Sequence, residues 1–126
     1  MQASAEGFKS DCSGPLWIKE KSKYDKKTNS WLINSSRRIA SKAKSSKFNR
    51  VTKCISFRAH LDKEGKVVKL STIKSSNDKV EDNLAKNLIL ESSPFKNPPQ
   101  KDSGNFVSII SFNPEPGCFV DVDIQE

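Results

Sequence analysis

The residue types that most often carry chemistry are scarce in this chain. It has three cysteines, Cys12, Cys54 and Cys118, and a single histidine, His60. A structural zinc site needs four clustered cysteine or histidine ligands, and the sequence contains no Cys-x-x-Cys pair. The sequence therefore excludes a zinc site built from one chain.

The odd number of cysteines leaves their redox state open. One disulfide with one free thiol fits an oxidising compartment, and three reduced thiols fit the cytosol. If the N-terminal segment crosses the sheet face that carries Cys54, a Cys12–Cys54 disulfide would fix it there. The competing pair is Cys12–Cys118.

The remaining candidates for catalysis or metal binding are also weak. His60 beside Asp62 or Cys54 would suggest acid–base or thiol chemistry. Neighbours along a strand and its turn rarely form such a site, and no second histidine is present. Asp121 and Asp123 are too few carboxylates for a calcium site. We expect no enzyme activity, no metal and no cofactor.

Length and charge point to one small, basic domain. The chain has 126 residues, a hydrophobic fraction of 34% and a formal net charge of +7. The charge falls along the chain from +8 over residues 1–50, through +3 over residues 51–100, to −4 over residues 101–126. Since 18 of the 22 cations are lysines, the composition favours a solvated lysine-rich surface over a dedicated nucleic-acid site.

The apolar pattern predicts two helices and at least three strands. Asn34, Ser35 and Ser36 offer an N-cap to the first helix and Asp78 to the second, and strict alternation of apolar and polar residues indicates strands. The predicted order is a helix over residues 34–48, strands over 51–61 and 66–73, a helix over 78–91, a strand over 105–112 and an optional strand over 120–125.

These elements predict an α+β fold with both helices on one face of a mixed, mainly antiparallel sheet. The turn at residues 62–65 is too short for a crossover, so the first two strands are antiparallel neighbours. A right-handed crossover through the second helix places the third strand parallel to the second. The expected sheet order is 2-1-3, with the third strand at an edge unless the tail adds a fourth.

The first helix carries a basic surface. Its cations are Arg37, Arg38, Lys42, Lys44 and Lys47. A basic amphipathic helix is typical of proteins that bind nucleic acid or an anionic surface. Its apolar stripe is too thin for insertion into a membrane, so a solvated surface helix is the simpler interpretation.

Four segments in a fixed order resemble the TonB/TolA C-terminal domain family. They are Leu-Asp-Lys-Glu-Gly-Lys-Val-Val at residues 61–68, Ser-Ser-Asn-Asp at 75–78, Ser-Pro-Phe at 93–95 and Asn-Pro-Pro at 97–99. The resemblance covers residues 33–113. It divides the chain into an N-terminal arm over 1–32, the family-like domain over 33–113 and a tail over 114–126.

The resemblance implies a non-enzymatic periplasmic module that binds envelope proteins. The implied partners are an outer-membrane transporter or Tol-Pal-type proteins, with no nucleic acid and only indirect contact with the membrane; the oligomeric state stays open. Binding in this family proceeds by strand addition at a sheet edge. The matching edge here is Phe106, Val107, Ser108, Ile109, Ile110, Ser111 and Phe112.

Both ends of the chain suggest further hypotheses. Residues 1–6 read like the small-residue stretch after a cleavage site, so we expect a mature form after signal removal, or the soluble part of a protein anchored in the inner membrane. The alternating tail either covers the partner edge reversibly or forms a permanent fourth strand.

Overall fold

The two helices and five strands of the described residues form one α+β unit. The computed structural model describes residues 17–18, 23–44, 53–99, 106–114 and 119–125. The elements are β1 (Trp17–Ile18), α1 (Lys26–Lys44), β2 (Ile55–Leu61), β3 (Val67–Lys74), α2 (Lys79–Ser92), β4 (Phe106–Asn113) and β5 (Phe119–Ile124). The strands form a single sheet in the order β1-β5-β4-β2-β3.

The sheet has the predicted topology. β2 pairs antiparallel with β3 on one side and with β4 on the other, so β3 and β4 run in the same direction. The tail strand β5 pairs antiparallel with β4. The order 2-1-3 is therefore confirmed, and the optional fourth strand is present. β1 adds two residues parallel to β5, with Trp17 opposite Phe119.

Alternation of side chains directs one sheet face toward the helices. Every second residue of β2 is buried, from Ile55 to Leu61. Their partners across the β2–β4 ladder are buried too, since Phe57 lies opposite Ile110 and Ile55 opposite Phe112. Because successive side chains of a strand point to opposite faces, these residues form one hydrophobic layer. Both helices contribute to the same core cluster.

The first helix starts eight residues earlier than predicted. α1 begins at Lys26, and Asp25 caps it by accepting a hydrogen bond from the Thr28 amide at 2.7 Å. The prediction was wrong because the polar, lysine-rich run before Trp31 hides the helical period. A stripe at helical spacing is buried nonetheless: Thr28, Trp31, Leu32, Ser35, Ser36, Ile39 and Ala40.

The second helix matches its prediction in position but not in its buried face. Asp78 caps α2 by accepting hydrogen bonds from the amides of Val80 and Glu81. The apolar residues of the segment, Val80, Leu84, Leu88, Ile89 and Leu90, predict one apolar stripe, but Val80 and Leu90 are 68% and 45% exposed. The face against the core consists of Glu81, Ala85, Leu88, Ile89 and Ser92.

The predicted segment boundaries do not coincide with the ends of structural elements. α1 runs across the boundary between residues 32 and 33. The tail strand β5 and the arm strand β1 belong to the same sheet as the central strands. The arm therefore packs on the domain through β1.

Candidate functional site

The strand predicted to bind a partner is not at an edge of the sheet. Residues 106–112 pair with β2 on one side and with β5 on the other. This corrects the predicted partner-binding edge. The physical reason is that Val120 and Val122 of β5 are fully buried and complete the hydrophobic layer beside Phe112 and Ile110.

The long edge among the described residues is β3. It pairs with β2 alone, whereas the opposite end of the sheet is covered in part by β1. An edge strand presents a row of backbone N–H and C=O groups to a possible partner strand. The amide of Val67 is already used, because it donates to the Ser93 hydroxyl at 3.0 Å.

The rest of this edge carries apolar and cationic side chains. Val68 and Ile73 are 58% and 45% exposed, and Lys69 and Lys74 are also exposed. The β2–β3 ladder has irregularities near both of its ends, where Val68 and Ile73 are skipped in the register. Such bulges re-aim side chains and limit unspecific pairing. We call residues 68–74 the open edge.

A second candidate surface is a cleft between α1 and the chain segment that follows α2. Its volume is about 770 Å³. Three of the five cations predicted as a basic surface, Arg37, Arg38 and Lys42, line it. Lys27 from the start of α1 and Lys96 from the opposite wall add to them. We call this feature the basic cleft.

Side-chain hydrogen bonds to backbone carbonyls hold the two walls of the basic cleft together. The Arg38 Nε donates to the Ser92 carbonyl oxygen at the end of α2. The Trp31 Nε1 donates to the Phe95 carbonyl oxygen at 3.2 Å, and the Trp31 ring packs edge-on against Phe106 with centroids 5.2 Å apart. Since Trp31 is 6% exposed, it forms the floor of the cleft rather than a free aromatic surface.

The sequence did not predict the lining residues of the basic cleft that lie outside the predicted first helix. Lys27, Ser30 and Trp31 belong to the early turns of α1, and Lys96 and Asn97 follow α2. The Asp-x-x-Thr pattern of Asp25 and Thr28 was a usable signal for the helix start. Nothing in the sequence indicates that Lys96 and Arg37 line the same cleft.

The residues considered for catalysis or metal binding do not form a common site. They lie apart from one another or form hydrogen bonds within a turn or a strand pair. His60 lies on the helix-free sheet face, whereas Asp62 accepts hydrogen bonds from the amides of Glu64 and Lys66 in the turn. The free thiol of Cys54 lies 3.1 Å from the Asn113 Oδ1. Among the described residues, no three His, Cys, Asp or Glu side chains come together as metal ligands.

The acidic strand residues of the tail have a different use. Asp123 accepts a hydrogen bond from the Tyr24 hydroxyl at 2.9 Å, which ties β5 to the segment before α1. Asp121 lies opposite Ser111 in the ladder. Both positions belong to a paired strand.

Several predicted residues lie outside the described part of the chain. Cys12, Cys118 and Lys47 are among them, as is the side chain of Lys44. Since Cys54 is a free thiol in the structure, the predicted Cys12–Cys54 disulfide is not formed, whereas the Cys12–Cys118 pair and the far end of the basic surface stay predictions. In the described segments, no helix is long and apolar enough to cross a membrane.

Comparisons with known proteins identify no relative of this chain. No profile of a protein family, no curated protein and no solved structure matches the chain.

Proposed function

We propose that this chain is a non-enzymatic protein-interaction module that binds an envelope protein by strand addition at the open edge of β3. The observation that carries the proposal is the combination of a one-sided strand with two exposed apolar side chains, Val68 and Ile73. Main-chain hydrogen bonds would supply affinity, and alternate side chains would supply selectivity. The resemblance to the TonB/TolA C-terminal domain supports this mode of binding.

The charge of the open edge specifies the kind of partner strand. On β3, Lys69 directly follows Val68 and Lys74 directly follows Ile73. Lys66 precedes the strand in the turn. Opposite charges across a strand pair stabilise it, and like charges destabilise it. The preferred partner is therefore an extended segment in which apolar and acidic residues alternate.

A synthetic octapeptide with four Val-Glu repeats tests this proposal. On binding, amide hydrogen exchange is expected to slow within residues 68–74 and not in β4. The same peptide N-methylated at every residue has no backbone N–H donor for the edge carbonyls and is expected to leave hydrogen exchange within residues 68–74 unchanged. Equal protection of residues 68–74 by both peptides, or protection confined to other strands, would overturn the proposal.

Paired substitutions distinguish peptide binding at the open edge from nonspecific binding to exposed apolar side chains. We expect Val68→Thr with Ile73→Thr to weaken the peptide complex about tenfold, because two apolar contacts are lost. The matched control is Val80→Ala with Leu90→Ala, which removes two similarly exposed apolar side chains from α2. The control is expected to bind like the wild type.

The proposed location is the periplasm, either as a secreted mature form or as part of a protein anchored in the inner membrane. The support is the family resemblance. Fractionation of cells that carry the natural gene, with an antibody against this domain, is expected to find it in the periplasmic or membrane fraction. Recovery in the cytosolic fraction alone would overturn the location but not the binding mode.

A further inference from the structure

We propose that the basic cleft is a second binding site, which holds an acidic peptide segment in extended conformation. Five cationic side chains and one carboxylate, that of Glu91, line the cleft, which gives its walls a formal charge of +4. Its volume of about 770 Å³ lies within the range of established ligand sites, roughly 300–1,000 Å³. This site is separate from the open edge of β3, whose residues do not line it.

The length of the cleft favours an extended chain over a single small anion. Its α1 wall reaches from Lys27 to Lys42, which is 15 residues along one helix. At 1.5 Å per residue this wall is about 22 Å long. An extended peptide rises about 3.3 Å per residue, so six or seven residues would span it. An inorganic phosphate would occupy only a small part.

The cationic groups are arranged for carboxylates. The Nε bond from Arg38 to the Ser92 carbonyl uses one of five guanidinium donors and fixes the orientation of the group. Arg37 and Lys96 are exposed and line the same cleft, Arg37 on α1 and Lys96 on the segment that follows α2. Arginine binds carboxylates through two parallel hydrogen bonds, which lysine cannot do.

Polar side chains in the cleft suit a peptide backbone. Asn34 and Asn97 are exposed and line opposite walls. A side-chain amide both donates and accepts hydrogen bonds, as each peptide unit of a bound segment requires. The cleft therefore offers contacts for the main chain as well as for acidic side chains.

Nucleic acid fits this site less well. Single strands are bound chiefly by stacking of bases on exposed aromatic rings. The one aromatic side chain with a polar group in the cleft, Trp31, is buried and bonded to the Phe95 carbonyl. Phe95 itself is 2% exposed. Neither ring is accessible for stacking.

Fluorescence anisotropy with a labelled octapeptide of four Glu-Ser repeats tests the inference. At low salt we expect this probe to bind, a Gln-Ser octapeptide not to bind, and an octamer of thymidylate to bind at least fivefold more weakly. Because the cations are exposed, binding of the acidic peptide is expected to weaken several-fold between 50 and 300 mM salt. Tighter binding of the oligonucleotide would overturn the inference in favour of a nucleic-acid site.

Charge-matched variants distinguish the cleft from the overall positive charge. Arg37→Gln with Lys96→Gln removes one cation from each wall. This double variant is expected to bind the acidic peptide at least tenfold more weakly. Lys53→Gln with Lys79→Gln removes the same charge from exposed positions that do not line the cleft, and less than a twofold change is expected. Equal weakening by both pairs would overturn the inference.

Removing Glu91, the one carboxylate among the described residues of the lining, provides the opposite test. Glu91→Gln is expected to strengthen binding of the acidic peptide two- to fivefold, because it removes a like charge from the site. Glu64→Gln, an exposed carboxylate in the turn between β2 and β3, is the control and is expected to have no effect. Weaker binding of Glu91→Gln, with an unchanged melting temperature, would contradict the proposed role of charge.

Discussion

Gly65 and Phe95 are in direct backbone contact, although 29 positions separate them in the sequence. The Phe95 amide donates to the Gly65 carbonyl oxygen at 2.7 Å. A Cβ at Gly65 would lie 1.9 Å from the Phe95 carbonyl oxygen, the same oxygen that accepts from the Trp31 indole. The turn of the β2–β3 hairpin is therefore joined to the wall of the basic cleft.

Gly65→Ala is expected to destabilise the protein by about 2–4 kcal/mol. The φ of Gly65 is +84°, a conformation that costs an L-residue about 1–2 kcal/mol. The added methyl group would also displace the Phe95 backbone and break a hydrogen bond that contributes about 1 kcal/mol. Urea denaturation measures the free energy of unfolding. Lys63→Ala in the same turn is the control, with an expected change below about 0.5 kcal/mol.

Val122→Ala tests whether the tail is a permanent strand. Val122 is 1% exposed and lies opposite Ile110 in the ladder. Loss of two carbon atoms from a packed core, with the cavity left behind, is expected to lower the free energy of unfolding by about 2 kcal/mol. Val107→Ala, on the helix-free face of β4, should cost less than half as much. Equal small effects would indicate that β5 detaches readily.

Asp82 is expected to make stability depend on acid pH. Burial raises the pKa of its carboxyl, but hydrogen bonds from Ser75 and Ser76 and the positive charge of Lys86 outweigh this, so the pKa lies below the ordinary value of 3.8. The folded state therefore binds the proton less readily than the unfolded state. The stabilisation is present above the unfolded pKa and is lost as pH falls through the folded value.

The variant Asp82→Asn isolates this contribution. After allowance for solvent screening, we expect it to lower the free energy of unfolding by about 1 kcal/mol at pH 6. The difference from the wild type should shrink as the pH falls below 3.8. Urea denaturation at pH 6 and at pH 2.5 measures both values. A difference that is the same at the two pH values would show that Asp82 contributes through its hydrogen-bond acceptors and not through its charge.

The β2–β3 hairpin and α2 were predictable because their signals are local. Alternating side chains mark the strands, and the positive φ at Gly65 is what a glycine at the end of a tight turn provides. Asp78 precedes its helix and caps it as its position predicted. Sheet order followed from the short hairpin turn and from the usual handedness of crossovers.

The predictions that failed depended on neighbours distant in sequence. The buried face of α2 is set by the sheet and α1, so Val80 and Leu90 are exposed although they belong to the apolar run. The segment before Trp31 contains few apolar residues, so its sequence gives little sign of a helix. It is helical because Thr28, Trp31 and Leu32 bury one face of α1 against the sheet and the later chain.

For the open edge and the basic cleft, too, some features follow from local sequence and others from the tertiary structure. The sequence determined the sheet of alternating strands, the basic character of α1 and the acidic tail, since these depend on residue types and their spacing. Tertiary structure decided that the tail covers β4, which leaves β3 as the open edge. It also decided that Lys96 and Arg37 line the same cleft. Both outcomes depend on which buried side chains meet across the core, and no local pattern specifies that pairing.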